Sequence, residues 1–243
     1  MIGVPLSLSL ILIACGSGTA AIPTTGAGVC DGLRQAQRFR YVFDYAVESP
    51  KPIGPVDESA VGSPPFAITP TFDDYNVDIK HDGSDVQPDR LDYELSTPNS
   101  PAVRTIRIGQ RQWISSGGAW QELNNPGSFP FLPPLVCDDI LSTLDLATAT
   151  GTAEQVDNTS ARHFRFAGVT LDTSSKLLGP QSDEGRLLKS YDVDLWLGQD
   201  DGRLVKVEAT STAAYPSARK LTMKITLDVS SYNDDAIVIQ PPA

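Results

Sequence analysis

Ser190-Tyr191-Asp192-Val193-Asp194-Leu195-Trp196-Leu197, continued by Asp200-Asp201-Gly202, by Arg203 to Ala209 and by Lys220 to Val229, is the stretch that decides the fold. Tyr191, Val193, Leu195 and Leu197 occupy alternate positions, with Asp192 and Asp194 between them. A period of two gives a strand one apolar face and one wet face. Asp200-Asp201-Gly202 is a turn signal, because glycine adopts positive φ at little cost. The return segment places Val205, Val207 and Ala209 on one side. The third segment sets Leu221, Met223, Ile225, Leu227 and Val229 against Thr222, Lys224, Thr226 and Asp228. Three such strands predict an antiparallel meander with one greasy surface. What covers that surface is the functional question.

Outward from the meander, Phe39, Tyr41, Phe43, Tyr45 and Val47 alternate with Arg40, Val42, Asp44 and Ala46 in a strong strand. Five large side chains on one face exceed what a small sheet needs, so they are candidates for lining a cavity as well as for plain core. Cys30 to Arg38 ahead of them predicts a short helix. Ser49 to Pro65, with five prolines, reads as an irregular loop. Tyr75, Val77 and Ile79 alternate into an expected turn at Asp82-Gly83, and Arg90 to Thr97 and Val103 to Ile108 predict further strands. Trp113 and Trp120 flank a Gly117-Gly118 hairpin turn, where a tryptophan pair commonly just packs.

Asn124 to Pro134 breaks regular structure yet carries Phe129, Phe131 and Leu132, which places them in the core or at the lip of a pocket; it is the candidate gate. Leu135 to Leu146 predicts a helix with Asp138 and Asp139 early, Asp157 to Phe166 a strand, Asp172 to Leu178 a short helix, and Ala236 to Ile239 a last edge strand. The expected fold is mainly β with a few helices: about ten antiparallel strands in one curved sheet. A sheet that long tends to curl, and its concave face must be plugged by helices or filled by something else.

The chain has 243 residues, and 30 acidic against 19 basic residues give a formal charge of −11. That balance argues against a nucleic-acid footprint and against electrostatic adhesion to anionic lipid. Residues 1–14 read as a signal segment: Val4 to Ala14 is uncharged, mostly apolar and far shorter than a membrane span. It ends in Leu12-Ile13-Ala14-Cys15-Gly16, which matches a bacterial lipobox with Cys15 as the lipid attachment site; the alternative is an ordinary secretory signal with a chance cysteine. Met1-Ile2-Gly3 lacks the basic residue such a segment normally carries. Residues 15–28, rich in Gly, Ala, Thr and Ser, read as a tether, leaving 29–243 as one folded domain. An exported chain meets an oxidising setting, so Cys30 and Cys137 are expected to pair. The bridge would close a loop of roughly a hundred residues and stabilise by roughly 4 kcal/mol; two free buried thiols are the alternative.

No catalytic constellation is legible. His81 and His163 stand alone, and Gly-x-Ser-x-Gly, a P-loop and a dinucleotide fingerprint are absent. Adjacent acidic pairs such as Asp73-Asp74 and Asp234-Asp235 point to opposite faces of a strand or sit in turns. The sequence therefore predicts a binding protein that is not an enzyme, with no cofactor and no metal site.

The lipobox Cys15, the front helix and aromatic strand, the Trp113-Ile114-x4-Ala119-Trp120 hairpin, the helix after it, and Tyr191 to Leu197 with its Gly turn and Arg203-Leu204-Val205 together resemble the LppX/LprG group of bacterial lipoproteins. That group is similar in fold to the lipoprotein carrier LolA and the sensor RseB. The resemblance implies an incomplete β-barrel of LolA-like form whose concave side encloses an apolar cavity. It also implies an acyl lipid, glycolipid or lipoprotein anchor as partner and an address in the bacterial cell envelope, with the chain held to the membrane by its N-terminal lipid. Phe39, Tyr41, Phe43, Tyr45, Phe129, Phe131, Leu195, Leu197, Val205, Val207, Met223 and Ile225 are the candidate cavity residues. A regulatory module on the same fold, with a filled core and an envelope protein partner, is the second expectation.

Overall fold

The computed structural model describes residues 22–48, 77–98, 100–123, 132–170, 190–214 and 220–242. The order of elements is α1 (Gly26–Gln35), β1 (Arg38–Glu48), β2 (Val77–Val86), β3 (Arg90–Thr97), β4 (Ser100–Ile108), β5 (Arg111–Ser115), β6 (Gln121–Leu123), α2 (Leu132–Asp139), a 3-10 turn (Leu141–Thr143), β7 (Thr152–Val156), β8 (Thr159–Thr170), β9 (Ser190–Gly198), β10 (Leu204–Ala214) and β11 (Lys220–Ser230). All eleven described strands form one antiparallel sheet in the order β6-β5-β4-β3-β2-β1-β11-β10-β9-β8-β7. Two meanders are thus joined where the first strand pairs with the last, Phe43 opposite Leu227. The edges β6 and β7 are not paired with each other, so the twisted sheet is a curved, open, incomplete barrel. β6 and β7 lie at opposite edges of the sheet, and α2 and the 3-10 turn, which come between them in the chain, pack into the core on the inner face.

The meander alternation holds on the inner face. Tyr191, Val193, Leu195 and Leu197 are buried, as are Met223, Ile225, Leu227 and Val229. Val29, Cys30 and Leu33 of α1 and Val136, Cys137, Ile140 and Leu141 from the segment of α2 and the 3-10 turn pack into the same core. Cys30 and Cys137 are disulfide-bonded with a Cα–Cα distance of 5.5 Å, tying α1 to α2.

The structure corrects several expectations. The helix expected at Cys30 to Arg38 starts at Gly26, where the Thr25 hydroxyl accepts the Gly28 N–H at 3.1 Å and caps it. The expected tether of residues 15–28 therefore ends before its glycines do. Gly26 is needed for contact rather than flexibility, since a Cβ there would overlap the Leu141 carbonyl. Asp82-Gly83, expected as a turn, lies within β2, and the turn falls at 87–89. Gly83 makes room for two rings: a Cβ would stand 2.7 Å from Tyr93 Cβ and 2.9 Å from Tyr41 Cζ. The single strand expected from Asp157 to Phe166 is a hairpin, β7–β8, turning on Asp157 (φ 47°) and Asn158 (φ 66°). This is the double left-handed turn that matches strand twist.

The expected edge strand Ala236 to Ile239 pairs with none of the described strands. It lies over the outer face, where Ile239 packs with Ile106 and Trp113, and Arg90 Nη1 donates to the Ile239 carbonyl at 2.9 Å. The helix expected from Leu135 to Leu146 divides into α2 and the 3-10 turn, putting Asp138 and Asp139 at the end of α2. Cys15, Ser49 to Pro65, Phe129, Phe131 and the helix expected from Asp172 to Leu178 lie outside the described residues.

Candidate functional site

The inner face divides into an apolar half and a half with a polar centre. On β1, Phe39, Tyr41 and Phe43 are buried and Tyr45 is half-buried, all on the inner face. Leu195, Leu197, Val207, Met223 and Ile225 line the same side under the helices. Val205 departs from the expected pattern. A bulge between Leu204 and Lys206 shifts the register, so Leu204 takes the inner place and Val205 is only half-buried. These apolar positions, Val205 apart, thus share the inner face, and those beneath α1 and α2 are packed by helix side chains.

The polar half was not legible. Opposite β1 lie inner-face residues of β2: His81 faces Phe43, Gly83 faces Tyr41, and Asp85 faces Phe39. His81 stacks on Tyr93 at 5.2 Å and meets the Phe43 ring edge-on at 6.2 Å. Thr105 and Gln112 continue the face on β4 and β5, and His81, Asp85, Thr105 and Gln112 are all buried. Burial pushes the Asp85 carboxyl up to about 7 and the His81 imidazole down to about 4. The misplaced turn at Asp82-Gly83 hid them: with β2 running through it, Ile79, His81, Gly83 and Asp85 share one period-two face.

These two shifts act on stability with opposite signs. The folded state keeps the Asp85 proton that the unfolded chain has lost, so this contribution is full below pH 3.8 and disappears as pH rises through about 7. The folded state refuses the His81 proton, so stability is full above pH 6.5 and falls as pH drops through about 4. Between those limits the slopes oppose each other. Asp85→Asn is expected to unmask the histidine slope, with urea stability rising by about 3 kcal/mol more than in wild type from pH 4 to 6.5, at 1.36 kcal/mol per unit. Parallel wild-type and variant curves would contradict this assignment.

On the outer face, His163 stacks on Trp196 at 4.3 Å and lies between Glu154 (2.9 Å) and Asp194 (2.7 Å). Trp196 Nε1 donates to Glu154 at 3.0 Å, and Arg165 joins Asp194 at 2.8 Å. The arrangement pins β7, β8 and β9 together. An open groove of about 570 Å³ runs between the 143–149 segment and the end of β8, lined by Leu144, Ala149, Phe166 and Val169 among others. Among the described residues no group of His, Cys, Asp and Glu could hold a metal ion, and no helix is long and apolar enough to cross a membrane; the latter says nothing of spanning strands.

No family model and no curated protein matches the sequence. Solved structures that share features include a DUF1329 family protein from Desulfovibrio piger (8% identity, covering 86% of this chain and 91% of that one, TM-score 0.24). Another is Pseudomonas aeruginosa MucB in complex with MucA (11% identity, 87% of this chain but only 59% of that one, TM-score 0.30). A third is the ywiB protein from Bacillus subtilis (10% identity, 83% of this chain and 99% of that one, TM-score 0.22). Likenesses of this size carry no inference about what the chain does.

Proposed function

We propose that the chain is a non-catalytic, exported binding protein, anchored through a lipid on Cys15, that holds the acyl chain of a lipid, glycolipid or lipoprotein anchor against the inner face of its sheet. The mismatch between sheet and helical cover among the described residues carries this reading. Eleven strands about 4.8 Å apart make a sheet roughly 48 Å wide. Two helices packed side by side at 8–10 Å spacing cover roughly 20 Å of it. The described helices make their main sheet contacts on β1 and β10, and Leu91, Leu95 and Tyr45 are only partly buried where they pack against the core. Each methylene moved from water to such a surface gains about 0.8 kcal/mol, so one long chain supplies on the order of 10 kcal/mol before ordering costs. The buried disulfide agrees with an oxidising, exported setting.

A fluorescent polyene fatty acid titrated into the full chain tests the reading. Saturable fluorescence enhancement, reversed by unlabelled long-chain acid, is expected; a linear, non-displaceable signal would sink it.

One observation favours a protein partner instead. β7 pairs with β8 only from Thr159 to His163, so the outer edge of β8 from Phe164 to Thr170 has no strand partner among the described residues, and the groove runs beside it. An extended peptide adding there would be bound by main-chain hydrogen bonds. A stoichiometric protein captured from envelope extract, with no lipid on the chain, would select this second reading.

A further inference from the structure

Directly opposed cross-strand residues share a face. The register opposes Asp85 to Leu91, Leu91 to Arg107, and Arg107 to Gln112, giving one row across the inner face of β2 to β5. Tyr93 and Thr105 oppose each other one level along. Gln112 is 1% exposed, and its Nε2 is buried without a hydrogen-bond partner. A buried donor left so carries a desolvation cost that a ligand acceptor would recover.

Beside it on the next strand, Arg107 is half-buried. Its Nε donates to the Gly109 carbonyl at 3.2 Å, and no carboxylate among the described residues pairs with it. The outer-face arginines of the same two strands are treated differently. Arg104 holds Asp92 through two bonds of 3.0 and 2.7 Å, and Arg111 holds Glu122 through two of 2.7 and 3.0 Å. Among the described residues the inner face therefore keeps a guanidinium without a counter-ion, Arg107, next to an amide donor without an acceptor, Gln112. A fork of N–H donors with a fixed positive charge fits an oxyanion.

We propose that Arg107 and Gln112 receive the anionic head group of an acyl lipid, a phosphate or a carboxylate, while its tail runs over the apolar inner face toward β1. This rests on the acyl-binding reading and adds the class of head group. Asp85 does not oppose it as a fixed charge. It lies two strands from Arg107, roughly 10 Å away, and burial pushes its carboxyl up to about 7, toward the neutral form.

Displacement of the polyene probe from the full chain by three lipids of one chain length tests the proposal: palmitic acid, palmitoyl lysophosphatidic acid and monopalmitoyl glycerol. Wild type is expected to bind at least one of the two anionic lipids ten-fold or more tighter than the neutral one, and the better of the two identifies the head group. Arg107→Gln is expected to lose most of that preference while its affinity for monopalmitoyl glycerol stays within two-fold. Should that variant fail to fold, Gln112→Met carries the test, with a several-fold loss for the preferred anion only. Equal affinities for all three lipids in wild type, or an anion preference untouched by both variants, overturns the head-group assignment and leaves acyl binding standing. Failure of wild type to bind any of the three overturns the acyl reading itself.

Discussion

Replacing Cys30 and Cys137 together by serine is expected to lower the stability of the folded chain by roughly 4–5 kcal/mol. The two half-cystines lie 107 residues apart, and both are buried. A cross-link of that span removes much of the freedom of the unfolded chain, and chain-entropy reasoning gives about 4.7 kcal/mol for a hundred-residue loop. In a chain of this size each kcal/mol moves the melting midpoint by about 2–4 °C, so a fall of about 10 °C or more follows. Dithiothreitol should produce the same fall in wild type and none in the double variant. Midpoints of wild type and double variant within 2 °C of each other would show that the bridge does not hold α1 and α2 over the sheet.

Phe43→Ala and Tyr45→Ala, two residues apart on one strand face, are expected to behave differently. Phe43 is 0% exposed, set between Leu227 on β11 and His81 on β2. Truncating a ring so placed removes its transfer energy and leaves a cavity, at a cost of about 3–5 kcal/mol. Tyr45 is half-buried at the rim of the core, so its truncation should cost about 1 kcal/mol and weaken acyl-probe binding instead. Urea denaturation and probe titration on both variants separate the roles. Equal destabilisation by the two would mean that the rim of β1 is core and not site.

The alternation of β1, β9 and β11 was readable because one face of each strand is almost wholly apolar and the other wet, and burial follows that pattern. The open sheet that the resemblance implied is the one these strands build. What escaped the reading was local chemistry that long-range packing overrides. Gly83 looked like a turn because glycine after aspartate usually is one, yet Tyr41 and Tyr93 claim the space its missing side chain leaves. Gly26 and Gly28 looked like a tether, although the close approach of the Leu141 carbonyl and the Thr25 cap make them the start of a helix. Val205 was assigned inward by parity, and one bulge gave its place to Leu204. The polar row Asp85, Arg107 and Gln112 was invisible for a different reason. Its members lie on three strands and meet only through register, which a single sequence does not display.

Acyl binding requires that the inner face of this sheet take in hydrocarbon. Native mass spectrometry of the full chain, expressed in a bacterial host and freed of detergent under gentle conditions, measures this directly. The predicted spectrum shows, beside the bare chain, a species heavier by the mass of one acyl lipid, which leaves on mild activation and exchanges for added palmitoyl lipid. A bare chain alone, before and after incubation with such lipids, would contradict the account.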